Sequence, residues 1–89
     1  MTNPRQQRQA AESLLDFWNC YMQTPLCVEQ CMTWLDSYPV EVVRYGIKEG
    51  ARKQAKSQGA MTLEALTAYA TRTMYHESRR RNATRSEVA

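Results

Sequence analysis

No run in this 89-residue sequence is long and apolar enough to span a membrane. Its first residues, MTNPRQQRQ, hold no hydrophobic stretch of the kind a secretory leader uses, so a cytoplasmic protein is expected. Alternation of apolar and polar residues with period two is missing throughout, and no segment repeats. These gaps leave an all-α fold as the expectation. The three cysteines, Cys20, Cys27 and Cys31, are an odd number, which argues against a disulfide scaffold and fits a reducing compartment. Their spacing does not follow the paired pattern of zinc sites, so they read as small apolar residues and no metal is expected. There is one histidine, His76, and Gly46, Gly50 and Gly59 form no phosphate-cradling loop. Glu12 and Asp16 read as solvated acids rather than an acid/base couple. With no nucleophile, base or cofactor motif in sight, the sequence predicts a protein that is not an enzyme and carries no cofactor.

What is present is an uneven distribution of charge. Residues 1–43 hold 2 basic and 5 acidic residues, whereas residues 44–89 hold 10 basic and 4 acidic ones. An anionic partner for the second half is the natural reading. Within that half, Arg44, Lys48, Arg52 and Lys56 recur at every fourth position. On a helix such residues lie nearly above one another, in a stripe that drifts slowly around the axis. Glu49 is placed to pair with Lys53 on the same helix.

Prolines and a glycine turn divide the chain into four expected helices. The first opens near Pro4, polar and prone to fray over residues 1–10, and then presents Leu14, Leu15, Trp18, Tyr21 and Met22 on one face. The second is expected from Pro25 to Ser37, with Thr24 as N-cap and Val28, Cys31, Met32 and Leu35 inward. The third, Val40 to about Ser57, has Val40, Val43, Ile47, Ala51 and Ala55 as its narrow inward face. Gly46 and Gly50 each cost it roughly 1 kcal/mol relative to Ala, which close packing against another helix would explain. Gln58-Gly59 reads as the C-cap and Thr62 as the next N-cap. The fourth helix carries Leu66, Ala70 and Met74. After His76 the apolar period is lost, so one helical domain over residues 1–76 and a basic, partly disordered tail over 77–89 are expected.

The order Trp34-Leu35-Asp36-Ser37-Tyr38, then Glu41-Val42-Val43, then Gly46-Ile47-Lys48-Glu49-Gly50-Ala51, preceded by Leu26-Cys27-Val28-Glu29, resembles a known family. It is similar to the C-terminal domain of DnaD-like replication initiation proteins. These are small helical modules of bacteria and phages that take part in primosome assembly and helicase loading. The resemblance spans roughly residues 17–75. Toward the last helix Thr62, Leu66 and Ala70, or in another register Leu66, Ala70 and Met74, stand where the family usually has tyrosine, isoleucine and tryptophan. The resemblance implies DNA binding through the final helix and the basic segment after it.

Residues and resemblance together make a set of candidate phosphate contacts: Arg44, Lys48, Arg52, Lys53, Lys56, Arg72, Arg79, Arg80, Arg81 and Arg85. DNA binding of this kind is expected to be salt-sensitive and independent of sequence, with Tyr69 or Tyr75 as a stacking face for single strands. A second class stays open, an adaptor or inhibitor docking on a host protein through Leu14, Trp18, Tyr21 and Trp34. A homodimer that completes a core too small for one chain is the third.

Overall fold

Gly46 sets the spacing at the centre of the molecule. The computed structural model describes residues 4–22, 25–58 and 61–88, with side chains as far as residue 83. Over them it contains four helices: α1 (Pro4–Tyr21), α2 (Val28–Ser37), α3 (Val40–Lys56) and α4 (Leu63–Val88). A Cβ placed on Gly46 of α3 would lie 2.5 Å from Met74 Cγ and 2.9 Å from the Ala70 carbonyl oxygen of α4. Helices α3 and α4 therefore approach closer there than any side chain would allow. The fold is all-α.

Each helix buries the stripe its sequence provides. In α1 this is Ala11, Leu14 and Trp18, continued by Met22 just past the helix end. In α2 it is Cys31 and Trp34. The two indoles stack at a tilt, ring centroids 6.2 Å apart. Trp34 also reaches α4, its Nε1 donating to Thr71 Oγ1 at 2.9 Å, while that hydroxyl donates to the Thr67 carbonyl at 2.7 Å. A buried indole is thus fully satisfied.

The punctuation of the chain is partly as expected. Tyr38, extended because proline follows, donates its N–H to the Trp34 carbonyl at 2.8 Å and closes α2. Pro39 then serves as N-cap of α3, its carbonyl accepting from the N–H of Val42 and Val43. Thr62 caps α4, its Oγ1 accepting from Ala65 N–H at 3.2 Å. Helix α2, however, starts at Val28 and not at Pro25. Cys27 is its N-cap in an extended conformation (φ −91°, ψ 151°), which brings the preceding Leu26 onto the core first. Thr24 and Gly59 lie outside the described residues. The left-handed residue after α3 is Gln58, with φ 56°.

Two further differences matter for function. The buried face of α3 is Val42, Val43, Gly46, Ile47, Gly50 and Gln54, whereas Ala55 is exposed and Val40 and Ala51 are half-buried. The helix is rotated from the expected inward face because its glycines, invisible to a count of apolar side chains, are where α4 fits. Helix α4 also runs on past His76 to Val88. Its inward row of Leu66, Ala70 and Met74 continues at Glu77, which is buried.

Two glycine substitutions should separate packing from propensity. Gly46→Ala drives a methyl into a backbone carbonyl and should destabilise by about 1–3 kcal/mol despite the better helix former. At Gly50 the nearest neighbour of an added Cβ is the flexible end of Met22, 3.4 Å away. Gly50→Ala should therefore be neutral or stabilising, by up to ~1 kcal/mol. Urea denaturation of both variants checks this; equal shifts of the same sign would contradict it.

Candidate nucleic-acid interface

With the glycine face of α3 turned to α4, the opposite face must carry the cations. Arg44, Lys48, Arg52, Lys53 and Lys56 are all exposed. Because a step of four residues advances ~40° beyond a full turn, the stripe begins beside α1 and ends toward α4. At the α1 side the Arg44 guanidinium carbon lies 5.8 Å from the Phe17 ring centroid, and at the α4 side Lys53 Nζ lies 5.9 Å from that of Tyr69. Aromatic faces hold such cations without neutralising them.

Acidic residues hardly offset this face. Glu49 pairs with Arg52 at 3.1 Å rather than with Lys53, whose ammonium lies over Tyr69 instead. Among the described residues, Arg44, Lys48, Lys53 and Lys56 form no ion pair with a carboxylate. An exposed pair such as Arg52–Glu49 is worth little, so a phosphate could compete for that arginine.

The arginines of α4 are arranged differently. Arg80 clasps Glu77 with two hydrogen bonds, Nε to Oε1 at 2.9 Å and Nη2 to Oε2 at 2.8 Å. Arg81 Nε adds a third to Oε2 at 2.7 Å. Glu77 is 4% exposed at the side chain. The Arg80 and then the Arg81 hydrogen bonds hold its pKa down to about 2, against the upward push of burial. Arg79 lies over the Tyr75 ring at 5.7 Å and donates to its hydroxyl at 2.9 Å. Arg72 is exposed, and the side chain of Arg85 lies outside the described residues. The expected run of unopposed arginines is thus in part an internal clasp: Glu77 offsets one of the two charges of Arg80 and Arg81. The signal for it was present in the sequence, an acid on the Leu66–Ala70–Met74 row with arginines three and four residues on.

Arg80 also approaches α3. It shares a shallow pocket of about 280 Å³ with Tyr45, Thr73, His76 and Glu77. Arg80 thus lies at the α3–α4 seam, beside Tyr45 of α3. Of the stacking candidates, Tyr75 is 47% exposed and Tyr69 is half-buried under Lys53.

The expected protein-docking set is corrected. Leu14, Trp18 and Trp34 are 1%, 0% and 2% exposed and form the core, so they offer no surface. A chain this small has to spend its largest side chains inside. Tyr21, 57% exposed, is the exception, and it lies beside Lys48, Ala51, Arg52 and Ala55 of α3.

Cys31 is buried and its thiol is pushed up to about 11, chiefly by desolvation and secondarily by Cys27, so it holds its proton. Among the described residues no group of three or more His, Cys, Asp or Glu side chains is placed to hold a metal ion, and no helix is long and apolar enough to cross a membrane. No protein-family model, curated protein or solved structure matches the chain.

The Glu77 clasp has a pH signature. A carboxylate whose folded pKa is depressed contributes stability above its unfolded value of about 4.5 and loses it as pH falls through about 2. Glu77→Gln should cost about 1–2 kcal/mol at neutral pH, the low end for a buried partner because both guanidiniums stay solvated. The difference in Tm between the two proteins should shrink from pH 5 to pH 2 in a thermal melt series, by roughly the whole effect. A constant difference would mean Glu77 acts by shape alone.

Proposed function

We propose that this chain is a non-enzymatic, cytoplasmic nucleic-acid-binding accessory protein, of the DnaD-like replication type its sequence resembles. It holds phosphates on the solvent face of α3. One observation carries this reading. Arg44, Lys48, Arg52 and Lys56 run along that face with Lys53 at its α4 margin over Tyr69, and among the described residues neither Arg44 nor any of the three lysines has a carboxylate partner. Helix α3 carries five cations against two acids, Glu41 and Glu49, and this surplus of positive charge on an exposed surface favours an anion outside the chain.

The chemistry favours affinity without sequence readout. Lysines spaced along one exposed helix act as point charges for phosphates, and each neutralised phosphate releases counterions. The arginines best shaped for bidentate recognition, Arg80 and Arg81, are occupied by Glu77. Binding should therefore be weak, salt-steep and tolerant of sequence.

Fluorescence anisotropy of labelled DNA across a salt series tests the proposal. The double variant Lys48→Gln/Lys56→Gln should lower the slope of log K against log salt by about 2 for duplex, one per lost phosphate contact. The loss should be equal for unrelated sequences. No binding by the intact protein at low salt would remove the proposal.

A further inference from the structure

Between the end of α1 and the solvent face of α3 runs a groove of about 230 Å³, lined by Tyr21, Lys48, Ala51, Arg52 and Ala55. Its surface is mostly apolar, with Ala51 and Ala55 of α3 lining it together with Tyr21, and no carboxylate is among its lining residues. The ring is braced from behind. Phe17 meets Tyr21 edge-on with centroids 5.0 Å apart, and Arg44 lies over Phe17. The groove thus combines a supported aromatic face with cations on its rim. At this volume it is below the ~300 Å³ typical of a drug-sized ligand, the scale of a single ring system.

We infer that this groove is a base-stacking subsite for single-stranded nucleic acid, in which one unpaired base lies against Tyr21 while its flanking phosphates pair with Lys48 and Arg52. The inference rests on the phosphate-binding reading of α3 and adds the class of strand. In a duplex the faces of the bases are stacked on one another, so Tyr21 has nothing to meet. In a single strand they are free, and base–aromatic stacking tolerates any sequence. Charge complementarity selects the occupant: a neutral apolar segment would leave the rim cations unmet, whereas every nucleotide of a single strand joins a flat ring for Tyr21 to a phosphate for the rim. Tyr21 takes the stacking role that the sequence suggested for Tyr69 or Tyr75, whose rings are already occupied by Lys53 and Arg79.

The test uses the intact chain with a labelled oligothymidylate and a duplex of equal length. Tyr21→Leu keeps an apolar side chain at an exposed position and removes only the stacking face; circular dichroism and a thermal melt confirm that it folds. It should weaken single-strand binding by about tenfold or more, with the salt slope and duplex affinity unchanged. Tyr21→Trp gives a second readout, because Trp18 and Trp34 are buried and the new indole would be the exposed one. Its fluorescence should be quenched by the single strand and not by the duplex. Salt-dependent binding that Tyr21→Leu leaves unaltered, with no selective quenching, would overturn the subsite while leaving phosphate binding on α3 standing. Equal weakening of single strand and duplex would likewise overturn it. No binding of either by the intact protein would remove both readings.

Discussion

The close approach of α3 to α4 at Gly46 is the constraint on which the other features depend. With the Ala70 carbonyl and Met74 packed where a side chain would be, the rotation of α3 about its axis is fixed. That rotation turns Gly46, Gly50 and Gln54 inward and sends Arg44, Lys48, Arg52 and Lys56 to solvent. A methyl-bearing residue at that point would push the helices apart, open the packing around Met74 and alter the angle at which the cations are presented. The cost of glycine in a helix interior, roughly 1 kcal/mol, is offset here by the dispersion contacts that close approach allows.

Charge is partitioned by the same geometry. Where α4 passes the start of α3, its inward row ends in a carboxylate, and Glu77 is stable there because Arg80 and Arg81 close over it. The clasp lets α4 continue beyond its apolar stripe. It also offsets part of the arginine charge that the sequence places there. The uncompensated charge is left on α3, beside aromatic rings that do not neutralise it. The cations that clasp Glu77 are thereby distinct from those exposed on α3, and neutral substitutions on α3 should leave the core intact.

Much of this was legible beforehand. Proline and threonine marked the starts of α3 and α4, and the four-residue spacing of Arg44, Lys48, Arg52 and Lys56 correctly placed them on a single exposed face. Other features depend on contacts between distant segments. Nothing local distinguishes Trp18 and Trp34 as a mutually packed pair from two exposed anchors; only the meeting of α1 with α2 decides it. On α3 the expected close packing at the glycines and the burial of Val43 and Ile47 hold, but Ala55 is exposed, because the side that fits α4 is set by Gly46 and Gly50 and not by the alanines. Tyr21 was grouped with the apolar residues of its own helix. Its neighbourhood is set instead by Lys48 and Arg52, about thirty residues away in the chain.

The central claim is that α3's solvent face is the binding surface, and the three lysines make it directly measurable because all of them lie on that helix. Lysine acetylation followed by mass spectrometry, with and without an oligonucleotide at a concentration that saturates the anisotropy signal, reads that face alone. Protection of Lys48, Lys53 and Lys56 together in the bound state is the predicted result. Bound nucleic acid with all three lysines modified at the unprotected rate would contradict the account and move the contact off α3.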